Sequence, residues 1–127
     1  MRKEFYRFLI AFLTFFAGLV GADYYRVYQS RHDQLMWQES VLRRDLFRLR
    51  RSLDVYATDK GELPKSLDDL VKAEYLQEVP FDPITHRRAW KIVVANDPNS
   101  VRGNQGIVDV HSSSSAISSQ GTAYEEW

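Results

Sequence analysis

The feature that most constrains this chain is a helical stretch with nothing to break it. No proline occurs before Pro64, and no glycine lies between Asp23 and Lys60. Proline removes a main-chain donor and glycine carries the largest backbone entropy, so these two residues do most of the work of ending helices. A helix begun near the start therefore continues to Gly61, which suits a left-handed cap. A span from about Glu4 to Asp59 is about 84 Å long at about 1.5 Å per residue.

The first part of that helix is apolar. Arg2, Lys3 and Arg7 lead into Phe8-Leu9-Ile10-Ala11-Phe12-Leu13-Thr14-Phe15-Phe16-Ala17-Gly18-Leu19-Val20-Gly21-Ala22, fifteen residues without charge. Fifteen is short of the roughly 20 needed to span a bilayer. Phe5 and Tyr6 extend the run on one side and Tyr24 and Tyr25 on the other, where an interfacial aromatic belt lies. Arg7 can snorkel to the headgroups. Residues 1–25 thus form a cytoplasmic tip and transmembrane anchor, with Phe8, Leu9, Ile10, Phe12, Leu13, Phe15, Phe16, Leu19 and Val20 in contact with the lipid bilayer. The basic start predicts that end in the cytoplasm. Two other readings stay open: a secretory signal cut after Val20-Gly21-Ala22, and a buried core helix.

Residues 26–61 form a stalk. Leu42, Leu46, Leu49, Leu53 and Tyr56 recur at spacings of four, three, four and three, one face of a helix, and Leu35 falls on the same stripe one heptad earlier. Arg43, Arg44, Asp45, Arg48, Arg50 and Arg51 fill the other faces, with Asp45 to Arg48 and Arg50 to Asp54 able to pair across a turn. The lower part of this stripe is expected to pack under a head domain and the membrane half against neighbouring subunits. A short self-associating coiled coil is the competing reading.

Residues 62–127 read as a small α+β head. Gly61 to Lys65 turns, and Ser66-Leu67-Asp68-Asp69 resembles a capping box opening a short helix with Leu67, Leu70 and Val71 on its buried side. Pro80, Asp82-Pro83 and Thr85 mark an ordered loop. Ala89 to Ala95 reads as a strand, Asn96-Asp97-Pro98-Asn99 as a turn, and Gly106 to His111 as a second strand. Strict alternation puts Ile107, Asp109 and His111 on one face and Val108 and Val110 on the other. Two strands do not stand alone, so the sheet must lie against the long helix. Ser112 to Ser119 reads as a mobile serine-rich loop, and Trp127 as a ring tucked under the sheet edge.

Charge is divided along the chain. Residues 1–54 hold ten Lys and Arg against six Asp and Glu, a surplus of four positive charges, and the remainder carries the opposite surplus. The basic half alternates with acids and flanks an apolar run, which argues against a nucleic-acid surface. With no cysteine, thiol catalysis and cysteine zinc sites are excluded. His32, His86 and His111 form no metalloprotease spacing, and there is no phosphate loop or nucleophile elbow for a small-molecule substrate. Asp109 and His111, two positions apart, form a possible pair of metal ligands, with a plain polar strand face as the simpler reading. Asp82, Asp97 and Asp109 near loops offer oxygens of the kind calcium takes, at no diagnostic spacing.

Several short elements in order carry a resemblance. Leu42-Arg43-Arg44-Asp45-Leu46-Phe47, Tyr56-Ala57-Thr58-Asp59-Lys60-Gly61-Glu62-Leu63-Pro64, Leu67-Asp68-Asp69-Leu70, Tyr75-Leu76, Val79-Pro80 and Asp82-Pro83-Ile84-Thr85 resemble type II secretion pseudopilins of the major-subunit kind. Gly106 to Ser112 and Gly121-Thr122-Ala123-Tyr124-Glu125-Glu126-Trp127 are similar to the tail of such proteins. The resemblance implies a pilin-like α+β fold, a non-enzymatic subunit of a pseudopilus or type IV pilus-like filament, a helix in the bacterial inner membrane and a periplasmic head. Its implied partners are other pilin-like subunits and an ATPase-driven inner-membrane assembly platform. Family members have a leader cut before an apolar run holding an early glutamate; here Glu4 precedes the run and Phe8 to Ala22 has no acid. The family's calcium is held by acids in the last loop, and Ser113 to Gln120 has none, so no cofactor is expected and no calcium ligand carries over.

Overall fold

The computed structural model describes residues 1–99 and 103–127. One helix, α1, spans Arg2–Lys60 and ends at Gly61, whose φ of +69° is the left-handed value a helix-ending glycine adopts. Two compact units divide the chain, Met1–Met36 and Trp37–Trp127.

The first unit is helix alone. Its large side chains are exposed throughout, from Phe5 to Tyr28. Side-chain contacts here are local to the helix: the Thr14 hydroxyl donates to the Ala11 carbonyl at 2.9 Å, and the rings of Phe12 and Phe16 stack at 6.4 Å.

The second unit wraps a head around the rest of α1. Leu42, Leu46, Leu49 and Leu53 are buried in one cluster with Leu70, Leu76, Val79, Trp90, Ile107, Val110 and Tyr124. The four-three spacing set this, since it keeps one apolar stripe facing the same way for three turns. Helix α2, Leu67–Lys72, opens with a complete capping box: the Asp69 N–H donates to Ser66 Oγ at 3.2 Å, and Asp69 Oδ2 accepts from the Ser66 N–H at 2.9 Å. Asp replaces the more usual Glu without loss of either bond. The helix closes through Glu74, a non-glycine residue at φ +65°, with the Tyr75 N–H returning to the Leu70 carbonyl at 2.9 Å.

Strands β1, Trp90–Asn96, and β2, Gln105–Ser112, form a two-stranded antiparallel sheet, each a residue or so off its expected bounds. The facing of β2 differs from strict alternation. Ile107 pairs with Val94 and Asp109 with Val93, so Val108 is an extra, bulged residue. The bulge puts Ile107 and Val110 together in the core and turns Val108 outward. Ahead of β2, the Leu63–Pro64 segment lies close alongside. The Ile107 N–H donates to the Pro64 carbonyl at 2.8 Å, and a Cβ on Gly106 would stand 2.2 Å from that of Leu63.

Three further expectations need correction. The serine-rich segment is tied down rather than mobile: the buried Ser112 hydroxyl donates to Asp82 at 2.6 Å, Ser113 to the Ala89 carbonyl at 2.8 Å, and Ser119 bonds to α1. Arg50 does not turn outward to Asp54 but reaches Asp109 of β2 at 2.7 Å, while Asp45, placed among the outer faces, is buried; it pairs with Arg48 across a turn at 3.9 Å, as the spacing predicts, and with Arg44 at 3.3 Å. The Trp127 ring lies against Arg43 of α1, 4.5 Å from its guanidinium carbon, rather than under the sheet edge.

Candidate functional site

The expected anchor residues share one condition. Phe8, Leu9, Ile10, Phe12, Leu13, Phe15, Phe16, Leu19 and Val20 are each exposed, the least so being Leu9 at 40%. Helix α1 contains an 18-residue window long and apolar enough to cross a membrane, with none of it buried inside the chain. A helix apolar on all sides and bare within its own chain is suited to lipid or to other helices, because water makes such exposure costly. At its start Arg7 pairs with Glu4 at 3.3 Å on the exposed surface.

The expected packing face divides. Leu42, Leu46, Leu49 and Leu53 are buried, and Tyr56 packs edge-on against Tyr75 with ring centres 5.6 Å apart. Leu35 is half-buried and stands outside the core cluster.

Two polar anchors of the head were missed from the sequence, where Glu39 was not named and Arg50 was placed on an outer face. The first is Glu39, 1% exposed on α1. Its carboxylate accepts from the Ser119 N–H at 2.7 Å, the Ser119 hydroxyl at 2.5 Å and the Tyr124 hydroxyl at 2.9 Å. Burial by itself raises this acid, but the bonds from Ser119 and Tyr124, with Arg43 nearby, outweigh it and hold the carboxyl below the ordinary 4.5. The Tyr124 hydroxyl, buried and donating to that carboxylate, is pushed up to about 12. The signal was present: Glu39 lies three residues before Leu42, on the apolar stripe itself.

The second is Arg50. Its Nε donates to Asp109 Oδ1 at 2.7 Å and its Nη2 to the main-chain oxygens of Val110 at 2.9 Å and Trp127 at 2.5 Å. Burial raises the Asp109 carboxyl, and the Arg50 hydrogen bond overcomes this and lowers it. Asp109 and His111 do come together, Oδ2 to Nε2 at 3.4 Å. Arg50 already neutralises this carboxylate, and a guanidinium so near opposes a divalent cation electrostatically. The Nδ1 of His111 lies 2.7 Å from the Trp127 main-chain oxygen.

The other loop acids are occupied separately. Asp82, fully buried, accepts from the Ile84 N–H at 2.8 Å and from Ser112. Asp97 accepts from the N–H groups of Leu63 at 3.0 Å and Asn99 at 2.9 Å. Among the described residues no group of three or more His, Cys, Asp and Glu is arranged to hold a metal ion. His32 and His86 are exposed. No protein-family model, curated protein or solved structure matches this chain.

Proposed function

We propose that this protein is a single-pass inner-membrane subunit of a type II secretion or type IV pilus-like assembly, joining pilin-like partners through its N-terminal helix with its head in the periplasm. The observation that carries the reading is the bare apolar stretch of α1, whose 18-residue window has no cover from its own chain. At roughly 25 cal/mol per Å² of apolar surface, leaving so many large side chains in water is strongly unfavourable. Lipid and neighbouring helices are the two environments that remove that cost. The head supports the same reading in a different way: its buried polar groups bind one another and tie α1, β2 and residues 112–127 together, as a structural module requires. Its functional surface is then the helix, and no catalysis is assigned to it.

A second reading has one observation in its favour. Phe8 to Ala22 carries no acid, and a bitopic adaptor, whose head binds a partner without entering a filament, needs none there.

The test is the intact mass of the protein from its native cells, separated into membrane and soluble pools. A mass that retains residues 1–25, found in the membrane pool, is expected. A mass beginning at Asp23 in the soluble pool overturns the proposal and leaves a released head. Single cysteines on the apolar run of this cysteine-free chain then separate the two membrane readings. Disulfides to pilin-like partners support the filament subunit, and disulfides only to another class of protein support the adaptor.

A further inference from the structure

One end of the head gathers exposed apolar side chains and cations. Gln38 Nε2 donates to the Pro83 carbonyl at 3.1 Å, and the Ser119 N–H donates to Glu39 at 2.7 Å. Those bonds hold residues 81–88 and 116–120 beside the first turn of α1 in the head, the turn that carries Trp37. Phe81, Ile117 and Trp37 are 56%, 64% and 64% exposed. Arg88 lies over the Phe81 ring at 4.5 Å and pairs with Glu78, while Arg87 is exposed and has no ion-pair partner among the described residues. Glu39 and Asp82 are buried and residues 112–124 carry no charge, so the two loops present a basic surface.

The loop that carries Arg87 is pre-formed. The Asp82 N–H donates to the Arg87 carbonyl at 2.9 Å and the His86 N–H to the Asp82 carbonyl at 2.8 Å, while the Asp82 carboxylate accepts from Ile84 and Ser112. A surface already ordered loses little freedom on docking. Its make-up is that of a membrane interface: a tryptophan, separate apolar side chains, and arginines suited to phosphate. A subunit interface instead needs one contiguous apolar core. The chain leads to the apolar run from this same end. Fifteen residues of α1 separate Ala22 from Trp37, a link of about 22 Å at about 1.5 Å per residue. Membrane helices tilt by up to about 40°. A lean of that size brings one edge of a head on so short a link to the headgroup layer.

We infer that this end of the head is a second membrane contact, docking on the anionic headgroup layer of the bilayer that holds the anchor. Arg87 and Arg88 sit on lipid phosphate, and Phe81, Ile117 and Trp37 are set among the headgroups. The inference rests on the anchored reading above and adds a lipid-binding face to the head. Each arginine near a negatively charged surface strengthens such a contact about fivefold. An assembly that lifts the subunit out of the bilayer must break this contact, so the docked head is a resting form.

The test uses the full chain in vesicles of phosphatidylcholine, alone or mixed with phosphatidylglycerol, containing a nitroxide-labelled lipid. The chain has no cysteine, so a single introduced thiol carries a fluorophore. Ile117→Cys and Phe81→Cys report the docking face, Glu62→Cys the region beyond the end of α1, and Phe15→Cys the apolar run. With phosphatidylglycerol present, nitroxide quenching at 81 and 117 is expected to exceed that at 62 severalfold. Arg87→Gln is expected to lower the docked-to-undocked ratio about fivefold, an effect that added salt weakens. Quenching at 81 and 117 no greater than at 62, with Phe15→Cys strongly quenched, overturns the inference and leaves the anchor standing. An unquenched Phe15→Cys overturns the anchor and the docking face together. Equal quenching in the two lipid mixtures also overturns the inference, because the arginines would then have no part. Both face positions are exposed, so one reports even where the other substitution disturbs the melt of the head.

Discussion

Glu39 decides how residues 112–127 are held. A carboxylate on the buried stripe of a helix is destabilising unless its acceptor sites are filled. Ser119 and Tyr124 fill them, so the same group that costs desolvation also draws the last segment onto α1. Glu39→Gln keeps the shape and removes the charge; we expect a loss of about 1–3 kcal/mol, measured by urea unfolding at neutral pH. The pH dependence has a definite sign. Glu39 has a folded value below its ordinary 4.5, as do Asp69 and Asp109 relative to 3.8. Their contribution is present above those ordinary values and is lost as pH falls through the lowered folded ones. Acid should therefore destabilise the head, and Glu39→Gln should unfold with a shallower acid dependence than the parent when melts at neutral pH and about pH 3 are compared.

At the scale of elements, the close approaches are carried by backbone. Gly106 lets β2 pass beside Leu63, where a methyl group would collide with the neighbour's Cβ at 2.2 Å. Gly106→Ala is expected to cost about 1–3 kcal/mol in thermal unfolding, because neither backbone can retreat without breaking the Ile107–Pro64 bond. The end of α2 makes the opposite prediction. Glu74 holds a left-handed conformation that glycine adopts freely, so Glu74→Gly should raise stability by about 0.5–1 kcal/mol, read as a higher melting temperature. Ser66 is the third test, since its hydroxyl accepts the Asp69 N–H at the start of α2. Ser66→Ala is expected to lose about 1 kcal/mol by the same measurement.

For the molecule as a whole, two kinds of stability coexist. The head has a core of its own, built on Leu42, Leu46, Leu49 and Leu53, whereas the apolar run from Phe8 to Ala22 has its large side chains exposed. The anchor reading makes a simple demand on that helix. Phe12→Asp places a charge in the middle of the run, at an insertion cost of about 2.5–3.5 kcal/mol. The variant should shift out of the membrane pool on fractionation while the head, recovered from either pool, melts as before. Unchanged partition would count against lipid as the environment of Phe8 to Ala22.

Periodicity and terminators are local properties, and the sequence by itself determined what depends on them. The long helix to Gly61, the apolar run, the leucine face, the capping box and the existence of two strands were all legible, because each is written in consecutive residues. Tertiary structure decided what depends on partners distant in the chain. The bulge at Val108, the close pass at Gly106, the inward turn of Arg50 and the ordering of the serine-rich segment each need a neighbour fourteen or more residues away to define them. Glu39 stands between the two. Its place on the stripe was visible, yet only the fold brings Ser119 and Tyr124, eighty and eighty-five residues further on, to fill its acceptor sites. A buried charge is tolerable only when paired, and pairing at that separation is a property of the fold rather than of any local stretch of chain.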